Sequence, residues 1–220
     1  MNPISGHRHD WLVAIGASAG GPSTLAVVLK ALPEDFAAAI VIIQHVDVQF
    51  APGMAEWLGH HSALPVRVAS EGDRLESGSV LLAGTQDHLQ LKAPDRLGYT
   101  PDPLEYVYRP SVDVFFESVS RLWRGGAIGV LLTGMGKDGA AGLKVLRDKG
   151  HHTIAQDEAS SAVYGMPKAA ARLKAAVDIL PVADIAPRLV DVIGRRRHHL
   201  EPRAMAAART RRRILSSASS

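Results

Sequence analysis

Cysteine is absent from this chain, which excludes disulfides and thiolate metal ligands; an intracellular setting fits that absence without following from it. Long apolar runs are missing too. The longest, Phe36 to Ile43, falls far short of the roughly 20 residues a membrane-spanning helix needs. Met1 to Asp10 carries His7, Arg8 and His9 but no apolar segment, so no secretory signal is read there. No internal repeat is visible. The His60-His61, His151-His152 and His198-His199 pairs lack the i, i+4 spacing of a helical zinc motif and read as surface residues, so no metal site is expected. Net positive charge is confined to one region. Residues 195–213 hold eight arginines against Glu201, a charge of +7, which leaves −4 for the rest of a chain whose total is +3. The basic balance therefore belongs to a tail, and no dedicated nucleic-acid site is inferred from it.

What remains is ordinary globular material: 220 residues, 46% apolar and 21% charged, enough for one sizeable core. Trp11 to Ile15 reads as a buried strand, and Pro22 to Lys30 as a helix with one apolar side. Between them lies Gly16-Ala-Ser18-Ala-Gly20-Gly21, the G-x-S-x-G pattern of a nucleophile elbow. Strands are further predicted at 37–44, 65–69, 80–83, 127–132, 152–155 and 177–180. Helices are predicted at 52–61, 111–123, from about 140 to 149, at 166–174 and at 185–194. Residues 88–92 and 97–100 alternate as an antiparallel hairpin around a Pro-Asp turn. Ser111 is the predicted N-cap of the 111–123 helix. This alternation predicts a three-layer, doubly wound α/β fold, mostly parallel, with helices on both faces, over residues 1–194. Residues 195–220 form an arginine-rich tail expected to be mobile, with a short helix around 202–213. That tail reads as a solvated appendage, or as a contact for acidic surfaces or anionic lipid.

In such a sheet, functional groups collect at the carboxyl ends of strands. Ser18, His45 and Asp138 all fall there, and they are the nucleophile, base and orienting acid of a hydrolase triad. Their order along the chain differs from the Ser, Asp, His order of α/β-hydrolases, so that fold is not expected. Plainer readings stand beside this one. Asp138 also suits a helix N-terminal acid, and His45 a satisfied histidine at a strand end. Arg109 and Asp113 read as a structural pair, or Arg109 as a contact for an acidic substrate; His88 and Gln86 suit either the cleft or ordinary loop polarity. The dinucleotide fingerprint G-x-G-x-x-G is not met, because position 18 is serine and Gln44-His45 stands where an acidic ribose ligand is expected.

Six blocks carry a family resemblance: IGASAGG (15–21), IIQHV (42–46), AGTQDHLQL (83–91), YRPSVDVFFESV (108–119), GVLLTGMGKDGAAGL (129–143) and TIAQDEASSAVYGMP (153–167). In that order, from about Leu12 to Ile193, they resemble the catalytic domain of CheB, the protein-glutamate methylesterase of bacterial chemotaxis. The resemblance implies a cytoplasmic serine hydrolase that removes methyl esters from glutamates of chemoreceptor helices, and that also deamidates glutamine if this member keeps the family's second activity. It assigns Ser18, His45 and Asp138 as the triad. It places an oxyanion donor at the Met135 N–H, with Gly134 and Ala19 in the surrounding turns. No metal or organic cofactor is implied. Two departures are noted. Ala19 stands where the family usually has threonine, and the first predicted strand begins about ten residues from Met1, leaving no room for the family's receiver domain. The alternative is a catalytically silent scaffold of the same fold. The oligomeric state is not legible.

Overall fold

The computed structural model describes residues 11–195. The core is laid down by seven short strands: β1 (Trp11–Ala17), β2 (Ala38–Gln44), β3 (Val66–Val68), β4 (Val80–Leu82), β7 (Ala127–Leu131), β8 (His152–Gln156) and β9 (Asp178–Leu180). They form one sheet in the order β3-β4-β2-β1-β7-β8-β9. Every pairing in it is parallel. β5 (His88–Ala93) and β6 (Arg96–Thr100) form the separate antiparallel hairpin that the alternation predicts. Gly16 and Ala17 extend β1 two residues beyond the predicted strand, because both neighbours supply partners: Ala17 opposite Gln44, and Gly16 opposite Leu131. Pairing overrides the turn tendency of glycine here.

Strand side chains alternate between faces, and the central strand shows it. Val13, Ile15 and Ala17 enter one core, Leu12 and Ala14 the other. The first core is closed by α1 (Gly21–Lys30), α2 (Ala51–Gly59) and a final helix, α6, over 182–195, through residues such as Leu29, Leu58 and Leu189. The second is closed by α3 (Val112–Leu122), α4 (Ala140–Asp148) and α5 (Met166–Arg172), with the hairpin beside them, through Phe115, Phe116, Leu146, Met166 and Leu91. This is the predicted three-layer arrangement.

The winding sets the place of the site. From β1 the chain moves to β2 through α1, while β7, on the other side of β1, leads onward to β8 through α4. Connections that diverge from neighbouring strands leave a crevice at their carboxyl ends. Ser18 follows β1, His45 follows β2, and Asp138 lies in the loop after β7, so the three strand ends are adjacent.

The closing helix, predicted at 185–194, runs over 182–195, and Arg195 bonds Asp191 at 2.7 Å. The remaining readings on the tail lie outside the described residues. His152 is not a plain surface residue: its Nε2 meets Asp178 at 2.7 Å, and Arg188 bonds the same carboxylate.

Phe116 is fully buried, and a Cβ added at Gly142 would come within 2.8 Å of its own Cβ, so α3 and α4 pack closely there. Phe116→Ala is expected to cost about 3–5 kcal/mol, read as a lowered urea midpoint at unchanged slope.

Candidate active site

β1 and β2 run side by side in register, so the residues that follow them leave the sheet together. Ala17 faces Gln44, and the His45 N–H donates to the Ala17 carbonyl at 3.0 Å. Ser18 and His45 therefore start from neighbouring backbones about 4.8 Å apart. The turn that carries Ser18 is tied on both sides. Its carbonyl accepts the Gly21 N–H at 2.8 Å and the Gln44 Nε2 at 2.9 Å. On the β7 side, the Ser18 N–H donates to the Thr133 carbonyl at 3.0 Å, and the Thr133 hydroxyl donates to the Ala19 carbonyl at 2.9 Å. The left-handed conformation falls on Gly20, at φ 77, and not on Ser18. The turn thus matches a nucleophile elbow in position, without the strained serine backbone of that motif.

Gln44 joins the two active-site strands directly. Its Nε2 donates to the carbonyls of both Ser18 and His45, at 2.9 and 3.0 Å, while its Oε1 is buried without a donor. A Cβ at Gly21 would lie 1.9 Å from that oxygen, so the clamp requires glycine there.

His45 Nε2 meets Asp138 Oδ2 at 2.8 Å, and the two side chains are only 8% and 6% exposed. The His45 ring stacks on Tyr108, with centroids 4.3 Å apart and planes 7° from parallel. Its Nδ1 is buried with no hydrogen-bond partner. The imidazole is thus pinned at one nitrogen and on one face, with the second nitrogen unused.

Asp138 precedes α4, yet its carboxylate does not cap that helix; it sits over the start of α3. Oδ1 accepts the Ser111 hydroxyl at 2.7 Å and the Asp113 N–H at 3.1 Å, and Oδ2 accepts the Val112 N–H at 2.7 Å as well as His45. Helix N-termini present unpaired N–H groups to anions in this way. Burial alone would push the Asp138 carboxyl up, but these four donors outweigh it and hold it below the usual carboxylate range. Ser111 also caps α3, as predicted, by accepting the Val114 N–H.

His88 is 0% exposed and lies behind Asp138, which corrects its placement among the cleft residues. Its Nδ1 accepts the Ser111 N–H and its Nε2 donates to the Pro103 carbonyl, both at 3.1 Å. A backbone N–H can only donate and a carbonyl only accept, so the ring is fixed as the neutral Nε2–H tautomer. Burial pushes its pKa down in the same direction. Ser111 is equally buried and its hydroxyl is committed to Asp138, so the Ser111–His88–Asp138 chain positions the acid and offers no open nucleophile.

Arg109 is exposed and makes no ion pair among the described residues; the expected bond to Asp113 does not form. Asp113 instead accepts the Gly142 N–H. Of the turn donors, Gly134 is already committed: its N–H donates to Val163, and its carbonyl accepts Gly165 and Met166. It is pressed against Ser18, since a Cβ there would lie 2.8 Å from that of Ser18. The N–H groups of Met135 and Ala19 have no acceptor among the described residues, and Met135 is 63% exposed. Gln44, Tyr108 and Thr133 are the site residues that sequence reasoning missed. Each lies inside a quoted block, but nothing local marks a side chain that bonds or stacks on a distant strand. Among the described residues, no group of three or more His, Cys, Asp or Glu is placed to hold a metal. No helix among them is long and apolar enough to cross a membrane.

Comparison with known proteins points to one family. The profile of the CheB methylesterase family matches residues 13–189. A protein-glutamate methylesterase/protein-glutamine glutaminase of Cupriavidus metallidurans is 66% identical over 183 residues, covering 83% of this chain and 54% of that protein. One from Mesorhizobium japonicum is 61% identical over 184 residues, covering 84% and 54%. The chain thus spans about half the length of the curated relatives it matches. The crystal structure of the Thermotoga maritima CheB methylesterase catalytic domain superposes with a TM-score of 0.79 at 33% identity, covering 82% of this chain and 97% of that one.

Asp113 sets a pH signature for the site. Burial, with the Asp138 charge adding to it, pushes its carboxyl up to about 6 against the pull of the Gly142 and Gly139 N–H groups. The folded chain therefore binds more protons than the unfolded chain between about pH 4 and pH 6, and Asp113 makes stability fall as pH rises through that window. Asp138 acts oppositely: its contribution is present above about pH 4 and is lost as pH falls below it. Asp113→Asn keeps an acceptor for Gly142 and is expected to flatten the pH 4–6 slope, leaving the acid limb in place. Urea unfolding across that range measures both.

Proposed function

The chain belongs to the CheB methylesterase family, and from that premise we propose that it is a serine hydrolase acting on glutamate methyl esters of chemoreceptor proteins. The observation that carries the reading is the state of His45: one ring nitrogen holds Asp138 at 2.8 Å, the other makes no hydrogen bond, and His45 leaves the sheet from the strand paired with the one that leads to Ser18.

Ser18 Oγ attacks the ester carbonyl, and His45 Nδ1 takes its proton as the C–O bond forms. Asp138 fixes the ring and stabilises the imidazolium through Nε2. The carbonyl oxygen, now negative, accepts the free N–H groups of Met135 and Ala19, which are preorganised donors because the turns around them are tied down. Collapse of the adduct breaks the bond to methoxide, which leaves as methanol with the proton from His45. Water then attacks the acyl-serine with His45 again as base, releasing a glutamate carboxylate and restoring Ser18. The same sequence on a glutamine side chain expels ammonia. Every proton moves through His45, so the scheme requires neither metal nor organic cofactor. The receptor's cytoplasmic helices are the proposed partner and the cytoplasm the proposed location.

Ser18→Ala is expected to abolish labelling by a fluorophosphonate and to lower methanol release from methylated receptor by at least about 10³-fold; Asp138→Asn is expected to lower it by about 10⁴-fold. Equal labelling of wild type and Ser18→Ala would place the reactive serine elsewhere. An unlabelled wild type that releases no methanol would leave the scaffold role.

A further inference from the structure

The surface beyond the Met135–Gly136 turn is concave. A groove of about 620 Å³ starts at Gly136 and continues between the first turn of α4 and the outer side of α5. Its small apolar lining comes from Ala140, Ala141 and Ala169, with Leu173 at its end. Three cations line it: Lys137, from the loop that bears Asp138, and Lys168 and Arg172, which are four residues apart and so share one side of α5. All three are exposed, and none makes an ion pair or side-chain hydrogen bond among the described residues. Several other cations are engaged, with Arg67 on Asp73, Lys144 on Asp148, Arg188 on Asp178 and Arg147 on two carbonyls. Lys30, Lys92, Arg109, Arg121, Arg124 and Lys174 also make no ion pair or side-chain hydrogen bond among the described residues but do not line this groove. Asp113 is the one acid lining the groove, and its Oδ1 is turned to the Gly142 N–H.

Three unpartnered cations on an apolar-floored groove are complementary to a polypeptide with carboxylates on either side of a small apolar contact. The groove starts at the residue after Met135, the proposed oxyanion donor, so what it holds lies next to the reacting side chain. That side chain is a neutral ester or amide, and the cations therefore serve its neighbours and not the bond being broken. Each turnover also leaves a glutamate carboxylate on the substrate, so a segment with several modifiable glutamates gains negative charge as it is processed.

We propose that this groove docks the acidic polypeptide segment flanking the target glutamate, with Lys137, Lys168 and Arg172 pairing its carboxylates. The proposal rests on the methylesterase reading for the identity of the segment, while binding can be tested apart from catalysis. Exposed pairs of this kind are individually weak and salt-screened, so three together are expected to give on the order of tenfold in affinity at low salt.

The test uses two fluorescein-labelled peptides, each with one glutamate methyl ester, flanked by glutamates in one and by serines in the other. Anisotropy with the full Ser18→Ala chain reads binding. The glutamate-flanked peptide is expected to bind about tenfold more tightly at low salt, with the advantage shrinking at high salt. Lys168→Glu/Arg172→Glu should erase the preference, and Lys168→Gln/Arg172→Gln should reduce it, in chains whose circular dichroism melts match the parent. Equal binding of the two peptides, or a preference untouched by charge reversal, overturns the proposal. Methanol release by the Ser18-containing chain separates the two readings. Selective binding without methanol from either peptide keeps the groove and rejects the esterase; equal binding with methanol from both does the reverse.

Discussion

The Asp138 carboxylate and its four donors are the junction on which the site depends. A buried anion is tolerated only when its lone pairs are filled, and here the donors come from two separate parts of the chain, the cap and first turn of α3 and the strand end after β2, while the acid itself sits on the loop after β7. Satisfying one charge thereby fixes where α3 begins, how the β7 loop folds and which way the imidazole points. The fully buried His88, held between Pro103 and Ser111, backs this junction from the hairpin side.

A second constraint is the parallel register of β1 and β2. It brings Ser18 and His45 out of the sheet as neighbours, although 26 residues separate them along the chain. Position beside the partner strand comes from backbone pairing, and orientation comes from Asp138 and the Tyr108 stack. The sheet thus supplies coarse placement and the side chains the fine adjustment.

Much of this was legible before any coordinates. Strand-helix alternation announced the doubly wound sheet, and the rule that polar groups gather at strand ends put Ser18, His45 and Asp138 on one rim. Ser111 was legible as a cap because that signal is local. Its bond to Asp138 was not, since nothing near residue 111 points to residue 138. Gln44 looked like the last residue of an apolar strand, yet it donates to two carbonyls at the rim. Thr133 reaches a carbonyl 114 positions away, beyond any window in which periodicity can speak. Arg109 and Asp113 looked like a pair by spacing and charge, but the Gly142 N–H reaches the carboxylate instead, leaving the arginine in solvent.

The Gln44 clamp carries one more implication. A single planar amide grips the backbone at both Ser18 and His45, and its Oε1 is buried with no donor among the described residues. Neither anchor can drift without dragging its companion. A displacement of either backbone therefore strains a donor that the other shares.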